Sequence, residues 1–396
     1  MEETNSQRDI DTLLESFEAD PASPHSLSVQ KAIHLARHLQ RRAAELQTPQ
    51  EKKQQAELER MMQTPGDKST LVQITDQAFR SSNPYRAADQ LVHILDVQGV
   101  PRFFAPLKRT LLKGFQSFGA HLPGVAVPMV KEKMRGETAN VILPAERELL
   151  AEHLENRRRE GMRMNVNYLG EALLGEEQAR ERLKAYLEVI QFPEIEVLSV
   201  KISTIYSQIS SLAREQTVRV LCDRLERLFR DAAKSRFVHA DGRETPKFIY
   251  LDMEEYRDTA ITAEAFMQTL DRMSLEQVEA GIALQAYIPD AILTQRAIND
   301  WARKRVQAGG APVTIRLVKG ANLEMERVEA SLRGWPQAPF KNKIETDANF
   351  KRMLLEGLKP ENIQAVRLGI ASHNLLDLAY SLVLAKEAGV LDRVQF

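Results

Sequence analysis

The chain has 396 residues, of which 43% are hydrophobic and 28% charged, so it is neither a disordered nor a fibrous protein. Its 54 lysines and arginines balance 55 aspartates and glutamates, which argues against a protein that binds nucleic acid along its surface. The single cysteine, Cys222, excludes an internal disulfide, and the acidic amino terminus is unlike a secretory signal. These features predict a globular cytoplasmic protein.

The first 155 residues carry helical periodicity punctuated by proline and glycine. Apolar residues recur at helical spacing in six segments, at 27–47, 51–62, 71–80, 85–99, 104–120 and 127–143. The alternation typical of half-buried strands does not occur in this part of the sequence. We therefore predict a helical arm at 1–65 and a helical α domain at 66–155.

From residue 156 onwards, short apolar runs alternate with amphipathic helices, which is typical of βα units in a parallel sheet. The runs occupy residues 162–170, 194–203, 247–254, 281–287, 312–320 and 365–374, and a seventh begins at 393. The first run is not followed by Gly-x-Gly-x-x-Gly, so a dinucleotide-binding sheet is not expected. The pattern predicts the α/β class, with a (βα)8 TIM-like barrel over 156–396 that is incomplete at its carboxyl-terminal end.

Residues at alternate positions of each strand share one face. In the second strand, Leu198, Val200 and Ile202 form an aliphatic face that we expect to pack against helices. The opposite faces carry polar residues near the carboxyl ends of the strands, where barrel enzymes assemble their active sites. This set comprises Lys201, Asp252, Gln285, Arg316 and His373, with Asn167 as a sixth candidate. Because burying several uncompensated ions is costly, the coincidence favours a functional site over isolated salt bridges.

The residue types in this set leave several chemistries open. Two cations beside one carboxylate suit a small anionic substrate. A metal site is not expected, because the one inward histidine has no carboxylate cluster with it. Lys201 is placed to form a Schiff base, as in barrel lyases, whereas Arg316, Gln285 and a Lys-Gly turn favour a cofactor with an anionic ring or phosphates. A third alternative is a non-catalytic fragment whose helical part mediates oligomerisation.

Six segments follow one another in order from about residue 169: LGEALLGEEQA, EVLSVKISTI, YLDMEEYRD, LQAYIPDA, IRLVKGANLEMERVEASLRGWPQAPF and LGIASHN. In these segments the chain resembles the proline dehydrogenase family, specifically the proline dehydrogenase part of the bacterial bifunctional proline utilization A proteins. The resemblance implies a distorted barrel that holds FAD at the carboxyl ends of its strands. It also implies oxidation of L-proline to Δ1-pyrroline-5-carboxylate, the first step of proline catabolism to glutamate, with hydride passing from proline C5 to flavin N5.

The resemblance further implies roles for individual residues. Lys201 would pair with the carboxylate of proline, Asp252 would organise the site, and Arg316 would lie near flavin N5. A cation in that position stabilises the negative charge that develops as a flavin is reduced. The implied FAD contacts are Met253, Gln285, Arg316, Val318, Lys319, Gly320, Ala321, Lys343, Ser372, His373 and Asn374.

Two positions depart from the family pattern. Asn322 stands where the family often has a tyrosine after the Gly-Ala pair. The family's last helix carries an Arg-Arg-x-x-Glu-Asn motif that grips the substrate carboxylate, and it would lie beyond Phe396. Glu171, which matches the partner of the first of those arginines, would then lack that partner, and we expect a fragment of a longer protein.

Partners and location also follow from the resemblance. It implies a quinone as electron acceptor and an aldehyde dehydrogenase domain downstream in the parent chain. A homo-oligomer is compatible with these expectations. The amino terminus has nothing similar to the ribbon-helix-helix DNA-binding segment of some family members, so no nucleic-acid partner is expected. The location would be cytoplasmic, with attachment to the surface of the inner membrane left open.

Overall fold

A computed structural model describes residues 10–63, 67, 70, 73–74, 83–102, 104, 106–118, 123–124, 127–130, 147–167 and 175–396. The chain divides into two compact units, one formed by Met1–Gln40 with Ala151–Phe396 and the other by Arg41–Leu150. The division into an arm, an α domain and a barrel at residues 65 and 155 stays a prediction. None of the helices within the described ranges is both long and apolar enough to cross a lipid bilayer.

Helices make up the regular structure described before residue 160, in agreement with the sequence pattern. They are α1 (Leu27–Leu46), α2 (Pro49–Met62), α3 (Pro84–Gln98), α4 (Pro106–Phe118) and α5 (Arg147–Arg159). Helix α3 begins where the Asn83 side chain accepts hydrogen bonds from two backbone N–H groups, and Gly99 ends it at a positive φ. The segments 71–80 and 127–143, also expected to be helical, lie mostly outside the described residues.

Within the Arg41–Leu150 unit, α3 and α4 enclose a small apolar core. Leu91, Leu95, Phe104, Leu112 and Phe115 are all buried in it. Burial of such side chains stabilises a helical unit by roughly 1.5–3 kcal/mol per residue relative to full exposure. The apolar periodicity of these segments therefore serves core packing.

The carboxyl-terminal part contains a parallel sheet of seven strands with helices between them. The strands, in chain order, are β1 (Asn165–Asn167), β2 (Val197–Lys201), β5 (Phe248–Asp252), β6 (Gly281–Gln285), β7 (Val313–Val318), β8 (Val366–Ala371) and β9 (Val394–Gln395). Their order in the sheet equals their order in the chain, and every neighbouring pair is parallel. This curled sheet is an incomplete TIM-like barrel, which confirms the predicted fold class.

The helices of the barrel follow the predicted alternation. They are α6 (Glu176–Val189), α7 (Ile202–Ile205), α8 (Arg214–Lys234), α9 (Thr259–Leu270), α10 (Ala291–Gln307), α11 (Leu323–Arg333), α12 (Lys343–Gly357), α13 (Pro360–Ile363) and α14 (Leu375–Glu387). A two-stranded antiparallel hairpin, β3 (Arg236–Val238) with β4 (Glu244–Pro246), precedes β5 and was not predicted. Helix α11, which lies between the loop after β7 and α12, was not predicted either.

The inner face of the sheet combines one large ring with small neighbours. The Tyr250 hydroxyl on β5 donates a hydrogen bond of 3.2 Å to Gln395 Oε1 on β9, two strands that are not adjacent in the sheet. A Cβ atom on Gly281 would lie 2.2 Å from the Tyr250 ring, so only glycine leaves room for it. The Tyr250 side chain therefore fills the concave side of the curled sheet, between β5 and β9.

The amino-terminal segment belongs to the same compact unit as the barrel. Leu14, Ala32 and Leu35 pack with Ala379 and Val383 of α14 in one buried cluster. An ion pair of 2.9 Å between Lys31 and Glu387 flanks this cluster. Residues 10–40 therefore cover the helix that follows β8.

A buried lysine next to β5 predicts a pH-dependent stability. The Lys247 side chain is 3% exposed and donates to the carbonyl of Phe192, and burial lowers its pKa to about 8. The folded state therefore loses this proton well below pH 10.5, while the unfolded chain keeps it. In unfolding experiments, we expect the stability of the wild type relative to Lys247→Met to rise by about 2 kcal/mol between pH 8 and pH 10.

The exposed Lys304 on α10 offers a matched control for this measurement. Lys304→Met also removes one lysine, but from the exposed surface, so the comparison of the two variants isolates the effect of the buried position. A stability difference between the wild type and Lys247→Met that stays constant from pH 8 to pH 10 would contradict the assignment of the pH dependence to this lysine.

Candidate active site

Four polar side chains from neighbouring strands meet at the carboxyl end of the sheet. Lys201, Asp252 and Gln285 each end a strand, and Arg316 lies two residues before the end of β7. The strand register places Lys201 opposite Asp252, and Ala283 opposite Arg316. The alternation along the strands, as predicted, therefore brings these side chains to one edge of the barrel.

Arg316 and Asp252 form an ion pair across the small residue Ala283. The guanidinium donates to Asp252 Oδ1, and both side chains are mostly buried, with exposed fractions of 20% and 13%. The guanidinium also lies over the Tyr250 ring, 4.6 Å from its centre. Gly369 on β8 adds no side chain beside Arg316, and a Cβ atom there would lie 3.4 Å from Arg316 Cγ. Asp252 and Tyr250 thus hold the Arg316 side chain on the side of β5, while Gly369 on the side of β8 has no side chain that would cover it.

Asp252 receives three further influences besides Arg316. Ser199 Oγ and Asn167 Nδ2 each donate a hydrogen bond of 3.2 Å to its carboxylate. Burial nevertheless raises the pKa of Asp252 above its usual range, although Arg316 and Ser199 favour the charged form. Asn167, the sixth candidate, therefore joins the site through Asp252.

Lys201 pairs with a carboxylate that the sequence analysis missed. Its Nζ atom lies 3.0 Å from Glu254 Oε1, and Ser203 Oγ donates to the other carboxylate oxygen. Glu254 follows Asp252 by two residues and so has the same parity along the chain. Glu254 lies two residues beyond the end of β5 at Asp252, where strand alternation no longer fixes the direction of a side chain, and the pattern therefore did not indicate it.

Gln285 is buried, with 4% of its surface exposed, and fixes the segment after β5. Its Nε2 atom donates hydrogen bonds of 3.1 Å to the carbonyl oxygens of Met253 and Glu254. Its Oε1 atom is buried and has no hydrogen-bond partner among the described residues. Because a buried acceptor without a partner is costly, this oxygen is ready to accept a hydrogen bond from a ligand.

The loop after β7 passes very close to β6. The backbone N–H groups of Ala286 and Tyr287 donate bonds of 2.8 Å to the carbonyls of Val318 and Lys319. Gly320 has a φ of +127°, and a Cβ atom there would lie 1.9 Å from the Tyr287 ring. Only glycine meets both conditions, so Gly320 determines the path of the loop that contains Val318, Lys319 and Ala321.

Lys319 is the centre of an ionic network beside this loop. Its Nζ atom lies 2.6 Å from carboxylate oxygens of both Asp347 and Asp377, and Lys343 also contacts Asp347. Although burial opposes the effect, these two lysines hold the pKa of Asp347 below its usual range. Asp377 is almost fully buried and also contacts Lys351 at 3.3 Å. Neither aspartate was among the residues predicted from the sequence.

The stretch after β8 is arranged around the start of α14. Ser372 Oγ donates a hydrogen bond of 3.2 Å to Asp377, and the Asn374 side chain caps the helix. His373 is exposed, and within residues 175–396 it forms no hydrogen bond or ion pair with Lys201, Asp252, Gln285 or Arg316. Glu171 lies outside the described residues. The contacts therefore join four of the five inward candidates and leave His373 apart.

Asn322 contributes to the same site from the beginning of α11. Its Nδ2 atom donates a hydrogen bond of 3.0 Å to the carbonyl oxygen of Glu254. Tyr256 N–H donates to Glu326 on α11 at 2.6 Å, which ties the two segments a second time. The residue in the position where the family often has a tyrosine thus holds the segment that carries Glu254.

Comparisons with known proteins identify relatives of this arrangement. A family model described as "Proline dehydrogenase" matches residues 150–396. A proline dehydrogenase of Deinococcus radiodurans is 28% identical over 157 residues, which are 39% of this chain and 42% of that protein. The structure of proline utilization A from Corynebacterium freiburgense is 39% identical, with a TM-score of 0.61, and the match covers 67% of this chain and 27% of that one.

A further solved structure matches almost the whole chain. Proline utilization A from Bdellovibrio bacteriovorus, inactivated by N-propargylglycine, has a TM-score of 0.72 and is 24% identical, and the match covers 93% of this chain and 36% of that one. At this identity the likeness shows the fold alone. The chain spans less than half the length of each of these three relatives.

Proposed function

Because the chain belongs to the proline dehydrogenase family, we propose that it oxidises L-proline to Δ1-pyrroline-5-carboxylate with FAD as its cofactor. The observation that carries this proposal is the Arg316–Asp252 ion pair beside Lys201, at the strand ends of the segment that the family matches. Two cations at one barrel mouth suit the carboxylate of an amino acid and a cofactor that becomes negative on reduction.

The residues present fit a flavin dinucleotide. Gln285 Oε1 is a buried acceptor without a partner among the described residues, which suits an N–H group of the ring system. Gly320 lets the backbone approach closely, and Lys319 and Lys343 share Asp347 where phosphates would need cations. Met253, Val318 and Ala321 would complete the contacts, with Ser372, His373 and Asn374 after β8. When bound, FAD would accept hydride from proline C5 at flavin N5.

The chain's own residues would bind and orient the substrate. Lys201 would pair with the carboxylate of proline, as a flexible point charge rather than a bidentate clamp. Arg316 would stabilise negative charge that develops at the site, and Asp252 would hold Arg316 in place. Glu171 would support substrate binding through its pairing with the first arginine of the family's Arg-Arg-x-x-Glu-Asn motif. Fixing the substrate in a reactive geometry in this way lowers the entropic part of the barrier.

A Schiff-base lyase that uses Lys201 is the alternative chemistry. In a Schiff-base lyase the lysine nitrogen must reach a carbonyl carbon, whereas Lys201 Nζ is held in an ion pair with Glu254. The geometry thus favours proline oxidation. Borohydride trapping of a carbonyl substrate on Lys201 would reverse this preference.

We extend the proposal to the partners of the parent protein. One of the similar solved structures is described as a bifunctional proline utilization A protein, and this supports an aldehyde dehydrogenase domain downstream. We also propose a quinone as the electron acceptor and a cytoplasmic location, with the membrane surface as the place where electrons are transferred.

The proposed function is tested by the flavin content of the purified chain and by its response to L-proline. We expect yellow protein that takes up FAD and whose flavin absorbance bleaches when L-proline is added without oxygen. N-propargylglycine, which inactivated the Bdellovibrio protein, should abolish the bleaching. A folded chain that stays colourless with excess FAD would contradict the proposal.

A further inference from the structure

The ammonium of Lys201 already has a carboxylate partner. Glu254 Oε1 lies 3.0 Å from Lys201 Nζ, and both side chains are about one-quarter exposed. The pair therefore lies at the rim of the site, where a solute from the solvent can reach it. A substrate carboxylate that binds Lys201 must therefore replace the carboxylate of Glu254 as the partner of the ammonium group.

The four charges at the mouth of the barrel cancel one another. Arg316 pairs with Asp252 and Lys201 pairs with Glu254, so the two ion pairs have no net charge. The first pair is the more buried, and Asp252 holds three polar contacts from other residues. The second pair is the more exposed and is the one that an incoming anion can open at lower cost.

Glu254 is anchored independently of Lys201. Its carbonyl oxygen accepts hydrogen bonds from Gln285 Nε2 and Asn322 Nδ2, at 3.1 and 3.0 Å. Its second carboxylate oxygen accepts a bond from Ser203. The carboxylate would therefore stay in place and keep a partner after Lys201 turned towards another anion.

From these contacts we propose that Glu254 sets the affinity of the site for carboxylates, because its own carboxylate competes with the substrate carboxylate for Lys201. The proposal rests on the proposed function, in which Lys201 binds the carboxylate of proline. Glu254 thereby weakens the binding of every carboxylate to Lys201 by a fixed factor. Only a ligand with further contacts in the site, such as the ring and amine of proline, overcomes that factor.

The test uses Glu254→Gln, which keeps the size of the side chain and its bond from Ser203 while it removes the charge. Binding of cyclopentanecarboxylate, measured by calorimetry on FAD-loaded chain, should become about fivefold tighter, because a partly exposed ion pair no longer competes. The neutral probe cyclopentanecarboxamide should bind equally to both proteins. With L-proline as substrate, KM should fall by a similar factor while kcat changes little.

Two controls make the result specific. Glu255→Gln removes the neighbouring carboxylate, which pairs with Arg257 at 2.6 Å, and should leave carboxylate binding unchanged. In a Lys201→Met background, Glu254→Gln should not tighten carboxylate binding, because the lysine for which the two carboxylates compete is absent. Thermal unfolding of each variant verifies that it folds.

The outcomes separate this inference from the proposed function. Weaker carboxylate binding by Glu254→Gln, or no binding by either protein, would overturn the inference, because Glu254 would then position Lys201 or Lys201 would bind no carboxylate. Tighter binding without any oxidation of L-proline would support the role of Glu254 and contradict the proposed function.

Discussion

Replacement of Arg316 by alanine should lower kcat/KM for L-proline by about a thousandfold. The guanidinium of Arg316 is more buried than the ammonium of Lys201, and it contacts Asp252 and lies over the Tyr250 ring. Removing one preorganised group that stabilises developing charge costs about 10²–10³ in rate. Losing the arginine also removes the ion-pair partner of the buried Asp252, and its pKa should rise further because burial is then less opposed. Stopped-flow reduction of the bound flavin by L-proline measures the chemical step directly.

Two further arginine variants give this prediction its specificity. Arg316→Lys keeps the charge but loses the planar donors that reach Asp252, so its rate should lie between those of the wild type and the alanine variant. Arg367 near the amino end of β8 pairs with Glu279 at 34% exposure, away from the carboxyl ends of the strands, and Arg367→Ala should react at the wild-type rate. Flavin content is measured for every variant. An Arg316→Ala protein that binds FAD and reduces it at the wild-type rate would show that Arg316 has only a structural role.

The barrel part of the fold was predictable because its signals are local. Strand alternation has a period of two, and Lys201, Asp252 and Arg316 are each defined by their place on a strand. His373 marks the limit of that argument. Strand β8 ends at Ala371, so alternation no longer fixes the direction of a side chain two residues later, and His373 is exposed.

Other features depend on contacts that a linear pattern does not contain. Asp347 and Asp377 lie on two different helices and reach Lys319 only when α12 and α14 pack beside the loop after β7. On their own helices they look like ordinary polar positions. The β3–β4 hairpin has strands of three residues with charged and polar positions, too short for alternation to be recognised. Glu254, like His373, lies two residues beyond the end of its strand, and it was missed because alternation does not extend that far.

Replacement of Gly320 by alanine should lower both the stability of the protein and its FAD binding, because Gly320 determines the path of the loop after β7. The added Cβ atom would lie 1.9 Å from the Tyr287 ring, and Gly320 has a φ of +127°, which alanine rarely adopts. We expect the loop containing Lys319 to be displaced, with a loss of about 3 kcal/mol in the free energy of unfolding. FAD binding, measured by flavin fluorescence, should weaken at least tenfold because Lys319 and Gln285 no longer face the same ligand.

The two causes of this effect can be separated. Gly309 has a φ of +87° and open space around it, so Gly309→Ala tests backbone strain alone and should cost about 1 kcal/mol. In a Tyr287→Ala background the clash at Gly320 disappears, and Gly320→Ala should then cost about the same as Gly309→Ala. If Gly320→Ala in the wild type already behaves like Gly309→Ala, the Tyr287 ring moves freely and the loop path is not determined by its contact with Gly320.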